Sequence, residues 1–196
     1  MSVPAVEPPY IRGETWDELL RTWEALDVPE GWKAEIIEGY IIVSPAPSKP
    51  HTYIASKLHR RLLPVLPEGW DVYQNVDVRI PLRSGVFQPD LVVLPEALML
   101  DGTPETQAGD AALVVEVTSR GNAGRDRVEK LAGYARAGVP LYLLVDRVAS
   151  QGPVITLFGE PRSGVYRTLW TGKFGDPIPL PDPFDQAIDS GDFPAG

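Results

Sequence analysis

The chain of 196 residues contains no cysteine and only two histidines. The absence of cysteine excludes thiol catalysis, zinc sites built from thiolates, and disulfide bonds. A chain that needs no disulfide suits a reducing compartment, and we therefore expect a cytoplasmic protein.

Long apolar runs are also lacking. No stretch approaches the roughly 18 uninterrupted apolar residues that a membrane-spanning helix needs. The N-terminal segment Met1–Glu14 has neither the basic region nor the apolar run of a signal peptide. The sequence therefore predicts a soluble protein that is not exported and does not bind a membrane.

Positive charge is scarce, since 18 lysines and arginines stand against 27 acidic residues and give a net charge of −9. Proteins that bind nucleic acid without sequence preference usually carry a basic surface that neutralises phosphates. The charge therefore argues against a nucleic-acid partner. It does not exclude one, because a bound divalent cation supplies local positive charge and part of the acidity can itself form a metal site.

The length and composition are typical of a single domain over residues 1–196. Predicted helices separate groups of predicted strands, which favours an α/β fold with one mixed central sheet and helices on both faces. We expect the core at about 14–170 and an extended, partly loose tail at 177–196.

Apolar periodicity predicts the individual elements. Helical spacing predicts helices at 16–26, 51–63 and 125–137. Apolar or alternating runs predict strands at 34–37, 40–43, 70–80, 86–94, 111–118, 141–145, 154–158 and 165–170. Segment 95–110 is predicted to be irregular, and Glu38-Gly39 to be a hairpin turn.

Two carboxylates accompany strands that are expected to be buried. Glu116 lies within the apolar run Leu113–Val117, and Asp90 follows Pro89 just before another apolar run. Taken alone, Glu116 also fits a salt bridge or a strand end, and Asp90 fits a turn or a cap. If neighbouring strands bring both to one point, the like charges repel unless a cation lies between them. Mg²⁺ is usually bound by one or two carboxylates with water and phosphate oxygens.

Three polar side chains share one face of the next predicted helix. Asp126, Lys130 and Tyr134 follow the spacing i, i+4, i+8. This spacing fits a solvent-exposed ion pair, and it also fits a lysine that reaches over the sheet edge toward the carboxylates. There an ammonium group would orient the attacking water or stabilise charge on a phosphate.

Over about residues 16–158 the sequence resembles the Uma-type restriction-endonuclease-like proteins, a bacterial group. The resemblance rests on the order and spacing of short segments: Glu35–Gly39, His51, Gln88-Pro89-Asp90, Val114–Ser119, Asp126 with Lys130 and Tyr134, Ala137–Pro140 and Tyr142–Asp146. It implies the PD-(D/E)xK nuclease fold, with Asp90 and Glu116 as catalytic ligands of Mg²⁺ or Mn²⁺.

The resemblance also implies roles for further residues. The lysine that usually lies two positions after the second acid is Thr118 here, and Lys130 is expected to replace it as the catalytic lysine. Glu35 is expected to add a third metal-binding carboxylate, in preference to Glu38, which also fits a turn residue.

Four residues are expected at the edge of this site: His51, Glu38, Asp126 and Tyr134. His51 also fits a polar residue at the start of a helix or a surface residue, and that interpretation stays open beside the first.

The hypothesis is a Mg²⁺-dependent endonuclease that hydrolyses phosphodiester bonds, with DNA favoured over RNA. A catalytically idle module that binds nucleic acid or protein on the same fold is the alternative, favoured by Thr118 and the acidic charge. A hydrolase of small phosphate esters is a third class. Since many nucleases of this fold pair to cut two strands, the resemblance also predicts a homodimer.

Overall fold

A computed structural model of the chain describes residues 11–12, 15–81, 85–103 and 105–194. The interpretation of Met1–Glu14 rests almost wholly on residues outside this part. Within it, no helix is long and apolar enough to cross a membrane.

The helical elements are α1 (Trp16–Glu24), α2 (Lys49–Leu62), α3 (Glu96–Leu100), α4 (Ala123–Arg125) and α5 (Leu131–Ala137), with 3-10 turns at Leu63–Val65 and Ala108–Asp110 and a π-helical turn, Asp126–Lys130, between α4 and α5. The strands are β1 (Ile11–Arg12), β2 (Lys33–Ile37), β3 (Tyr40–Ser44), β4 (Trp70–Tyr73), β5 (Val78–Ile80), β6 (Gly85–Phe87), β7 (Leu91–Pro95), β8 (Thr106–Gln107), β9 (Leu113–Val117), β10 (Leu141–Asp146), β11 (Val154–Arg162), β12 (Val165–Lys173), β13 (Ile178–Leu180) and β14 (Gln186–Ile188).

The strands form two six-stranded sheets and a separate hairpin. The first sheet has the order β1-β3-β2-β6-β5-β8, and the second has the order β12-β11-β10-β9-β7-β4. Both are mixed, because β5 and β8 run parallel in the first sheet and β9 and β10 run parallel in the second. The α/β class with mixed strands and flanking helices is confirmed, whereas the expectation of one sheet is wrong.

Both of the longest predicted strands are interrupted where the chain passes between the sheets. Segment 70–80 divides into β4 and β5, and Asn75 between them has a φ of +57°, a left-handed conformation that ends regular pairing. Segment 86–94 divides into β6 and β7 around Pro89, which has no N–H to donate to a ladder. Asp90 therefore lies in a crossover between the two sheets.

Three apolar clusters define the layers. α1 packs on one face of the first sheet through Leu19 and Ile36. α2 and the C-terminal segment cover one face of the second sheet. The remaining faces of both sheets meet around α5, where Phe87, Tyr134 and Tyr142 pack against one another. The second sheet thus has helices on both faces, and its face opposite α2 is directed toward the first sheet.

Short-range signals in the sequence are confirmed. Thr15 and Glu18 form a reciprocal capping box at the start of α1, and Gly138 ends α5 with a φ of +78°. Glu38-Gly39 forms the turn between β2 and β3. The prediction of an irregular segment at 95–110 is wrong in part, because it contains α3, whose alanine, leucines and methionine are strong helix formers.

The described part of the C-terminal segment, residues 177–194, is folded, so the prediction of an extended or partly loose tail is wrong for these residues. β13 and β14 pair as a hairpin. Apolar side chains of this segment are buried against the second sheet: Ile178, Leu180, Phe184, Ile188 and Phe193. A carboxylate beyond the hairpin, Asp192, lies 2.8 Å from Lys57 and 2.7 Å from Arg61 of α2.

Ile188→Ala should lower the free energy of unfolding by about 2 to 4 kcal/mol, because it removes a buried side chain and leaves a cavity. Gln186→Ala, an exposed position on the same strand, is the control and should change stability by less than about 0.5 kcal/mol. Urea unfolding followed by circular dichroism measures both. Equal effects of the two substitutions would show that the hairpin is not part of the core.

Candidate metal-binding site

Asp90 and Glu116 lie on neighbouring strands of the second sheet. β7 and β9 are antiparallel with Leu91 opposite Val115, and continuing this register by one residue sets Asp90 opposite Glu116. Side chains at opposed positions share a face of the sheet. Asp90 Oδ2 also accepts a hydrogen bond of 2.7 Å from the backbone N–H of Val117. The structure therefore brings both carboxylates to the same end of one strand pair.

His51 contacts Asp90 from α2. The helix begins at Lys49, two residues before the predicted start, because Pro50 is compatible with a first helical turn. His51 is therefore inside the helix and only 5% exposed, with Nε2 at 3.0 Å from Asp90 Oδ1. Burial raises the pKa of Asp90, but the bond to His51 and the charge of Lys33 outweigh it and keep that pKa below its usual value. The interpretation of His51 as a surface residue is wrong.

Lys130 reaches the carboxylates from the helix that follows β9. Its Nζ lies 2.6 Å from Glu35 Oε1, 2.9 Å from Glu116 Oε1 and 3.9 Å from Asp126 Oδ1. Tyr134 donates a hydrogen bond of 2.8 Å to the same Glu116 oxygen. Burial lowers the pKa of Lys130, but the three carboxylates outweigh it and raise that pKa well above its usual value. The enclosed ammonium group therefore stays charged.

A π-helical turn, Asp126–Lys130, interrupts the regular helix predicted for 125–137. Such a turn holds one extra residue and changes which side chains face the neighbouring sheet. Asp126 and Lys130 both point inward here, with 0% and 2% of their surfaces exposed. Neither carboxylate oxygen of Asp126 has a hydrogen-bond partner among the described residues. Burial and the nearby Glu116 raise the pKa of Asp126 well above its usual value.

Glu35 enters the site from β2 of the first sheet. Besides Lys130, its Oε1 accepts a hydrogen bond of 2.8 Å from the backbone N–H of Gln88, and its Oε2 lies 3.7 Å from Lys33 Nζ. Burial raises the pKa of Glu35, but Lys130 and Lys33 outweigh it and lower that pKa. Glu35 thus connects the helix lysine to the crossover that carries Asp90.

Glu38 does not lie with these residues. It occupies the turn between β2 and β3 with a φ of +49°, is about half exposed, and pairs with Arg136 at 2.8 Å. The structure does not bring Glu38 together with the other predicted site residues, because the hairpin turn lies at the end of β2 away from Lys33.

Thr118 occupies the position where the motif lysine usually lies. It is fully buried, and its hydroxyl donates to Asp146 Oδ1 at 3.0 Å and accepts from the backbone N–H of Arg147 at 3.0 Å. Asp146 also forms a two-point contact with Arg127. Thr118 therefore connects the ends of β9 and β10, and the ammonium group at Glu116 comes from Lys130 instead.

Lys33 also lies in this cluster, and the sequence did not predict it as a site residue. Its Nζ donates a hydrogen bond of 2.9 Å to the carbonyl oxygen of Gln88. Burial lowers the pKa of Lys33, but Glu35 and the other nearby carboxylates outweigh it and raise that pKa. The signal was present in the sequence, since residues two apart in a strand share a face and Glu35 was already a candidate.

The buried cluster has more negative than positive charge. Four carboxylates, those of Glu35, Asp90, Glu116 and Asp126, surround two ammonium groups, those of Lys33 and Lys130. Burial raises the pKa of Glu116, and Lys130 offsets that effect only in part. Glu116 Oε2 has no hydrogen-bond partner among the described residues. An unpartnered carboxylate oxygen on Glu116, with Asp90 at the opposed position of the neighbouring strand, fits a divalent cation.

Among the described residues, no three side chains of histidine, cysteine, aspartate or glutamate are arranged to hold a metal ion. Proteins usually bind Mg²⁺ through one or two carboxylates plus water and substrate phosphate oxygens. Glu35 as a third ligand stays a prediction, since its two oxygens contact Lys130, Gln88 and Lys33.

Comparison with known proteins identifies the family of this chain. The family model described as "Uma2: Putative restriction endonuclease" matches residues 16–190. The chain belongs to this family. The resemblance seen in the sequence is confirmed, and the Uma2 match extends past 158 through the C-terminal hairpin.

A crystal structure described as "a putative nuclease belonging to DUF820", from Anabaena variabilis, resembles this Uma2 protein with a TM-score of 0.68. The two chains are 17% identical, and the match covers 92% of this chain and 97% of the other. At that identity the likeness shows the fold alone. No curated protein matches the chain.

Lys130→Met should destabilise this Uma2 protein by about 3 to 5 kcal/mol, because it leaves two buried carboxylates without their shared cation. Urea unfolding at neutral pH measures the change. Lys173→Met, at an exposed position in β12, is the matched control and should stay within about 0.5 kcal/mol of wild type. A loss below about 1 kcal/mol in Lys130→Met would contradict the importance given to these contacts.

Proposed function

We propose that this Uma2 protein is a metal-dependent nuclease that hydrolyses phosphodiester bonds of nucleic acid, with DNA as the expected substrate. The observation that carries the proposal is the pair Asp90 and Glu116, at opposed positions of neighbouring strands, with Glu116 Oε2 buried and without a hydrogen-bond partner among the described residues. Family membership and fold support the nuclease class. The metal and the substrate are part of the proposal.

Asp90 and Glu116 would hold Mg²⁺ or Mn²⁺. When bound, such an ion polarises a phosphate oxygen and lowers the pKa of a water molecule that attacks phosphorus. The low pKa of Asp90, maintained against burial by His51 and Lys33, keeps this carboxylate charged. Glu116 offers Oε2, since its Oε1 already accepts hydrogen bonds from Lys130 and Tyr134.

The surrounding side chains orient these two carboxylates. His51 and the N–H of Val117 each contact one oxygen of Asp90, and Lys130 with Tyr134 fixes Glu116. Partners of this kind control the orientation and basicity of metal ligands. With 2% of its side chain exposed, Lys130 is better suited to positioning Glu116 than to touching a substrate.

Purified wild-type protein should cut DNA with Mg²⁺ or Mn²⁺ and not with a chelator. Asp90→Asn and Glu116→Gln should each lower the cleavage rate by about 100-fold or more, because each removes a charged ligand of the ion. Asp27→Asn, an exposed aspartate far along the chain from either ligand, is the control and should cut normally. Gel assays on supercoiled and linear DNA, with RNA in parallel, measure the rates. Unchanged cleavage by Asp90→Asn would sink the assignment.

A catalytically idle module remains a second candidate. It is favoured by Thr118 in the place of the motif lysine and by the protein partners that Asp90 and Glu116 already have. In such a module the carboxylates would only stabilise the cluster.

Calorimetric titration with Mn²⁺ separates the two candidates. The nuclease proposal predicts binding by the wild type that Glu116→Gln weakens by about tenfold or more, since one carboxylate ligand is lost. The idle module predicts no binding that depends on Glu116. Glu38→Gln, an exposed glutamate that pairs with Arg136, serves as the control and should bind Mn²⁺ as the wild type does.

A further inference from the structure

Two lysines lie among the buried carboxylates, and they differ in their access to a ligand. Lys130 is 2% exposed, and its ammonium group contacts Glu35 and Glu116 at 2.6 and 2.9 Å. A phosphate group would have to displace a buried carboxylate to reach it. The Lys33 side chain is 20% exposed. Lys33 is therefore the cation of the cluster that a substrate can approach without breaking a buried ion pair.

The backbone directs Lys33 toward the same space as the candidate metal ligands. It is the first residue of β2, two positions before Glu35 and on the same face of the strand. Its Nζ contacts the carbonyl oxygen of Gln88, which lies two residues before Asp90 in the crossover. The charge of Lys33 also stabilises the ionised forms of Asp90 and Glu116.

The ammonium group of Lys33 can donate further hydrogen bonds. An ammonium group carries three N–H donors. Among the described residues, one acceptor lies at hydrogen-bond distance, the Gln88 carbonyl at 2.9 Å, while Glu35 Oε2 is farther away at 3.7 Å. A second acceptor can therefore bind Lys33 without displacing either contact.

A phosphodiester carries a negative charge, which the ionised carboxylate of Asp90 repels when the substrate approaches. We propose that Lys33 is a catalytic residue that binds a non-bridging oxygen of the substrate phosphodiester. The inference rests on the proposed nuclease function and adds to it a residue that touches the substrate.

In the reaction, the attacking water forms one P–O bond and the bond to the leaving sugar oxygen breaks. One proton of the water ends on that sugar oxygen. Lys33 keeps its own proton throughout and stabilises the negative charge that grows on the phosphate oxygens.

The test measures binding as well as turnover. The probes are a fluorescein-labelled DNA duplex with Ca²⁺ in place of Mg²⁺, and a thymidine dinucleotide with either its phosphodiester or an uncharged methylphosphonate linkage. Lys33→Met keeps the length of the side chain and removes the charge. It should weaken duplex binding by about tenfold or more, as expected for a lost charged hydrogen bond, and reduce the salt dependence by about one phosphate contact.

The dinucleotides separate a direct contact from a structural role. NMR titration should show that Lys33→Met weakens binding of the phosphodiester and leaves binding of the methylphosphonate unchanged. Lys33→Arg, which keeps the charge, should retain affinity within about threefold. Lys173→Met, which removes an exposed lysine from β12, should behave as the wild type. If Lys33→Met does not fold, Lys33→Gln replaces it, since it keeps an N–H donor for the Gln88 carbonyl.

Each result decides the question. A wild type that cuts DNA while Lys33→Met binds the duplex with the same affinity and salt dependence overturns the inference and leaves the nuclease proposal standing. Equal losses for the charged and uncharged dinucleotides assign Lys33 a structural role and also overturn it. A wild type that neither cuts nor binds nucleic acid overturns both proposals.

Discussion

The rest of the site depends on the buried ammonium group of Lys130. It joins Glu35 in the first sheet to Glu116 in the second, at 2.6 and 2.9 Å. Apolar packing between the sheets drives their association but is not directional. A buried charge, in contrast, is stable only when it is paired and hydrogen-bonded. Because two carboxylates from different sheets share one cation, their meeting point fixes how the two sheets lie relative to each other.

The crossover between the sheets brings Asp90 to this meeting point. The backbone of Gln88 forms two hydrogen bonds with the cluster: its N–H donates to Glu35, and its carbonyl oxygen accepts from Lys33. Pro89 then prevents continued pairing, so Asp90 is presented at the end of β7 and not within a long strand. The proline that interrupts strand pairing thus determines where the carboxylate that follows it lies. The break places this carboxylate at the end of β7, beside the strand that carries Glu116.

Much of this arrangement is readable from the sequence, because burial leaves a local pattern. Apolar runs identify the inner strands, and an acid within such a run identifies Glu116 as unusual. What periodicity reports is burial of a face, and it does not report which sheet a strand joins. Because the apolar pattern continues across Asn75 and Pro89, the sequence predicts one sheet where the structure has two. The prediction for the C-terminal segment was wrong for a similar reason, since Ile178 and Leu180 flank a proline and resemble loop residues.

The position of the acidic residues changes the meaning of the net charge. A charge of −9 argues against a nucleic-acid partner when it is spread over the surface. Part of it is instead concentrated in a buried cluster where burial raises the pKa of Glu116 and Asp126. Under the proposed function, a divalent cation held by Asp90 and Glu116 would compensate part of this acidity, and the affinity of the site for phosphate would depend on that cation.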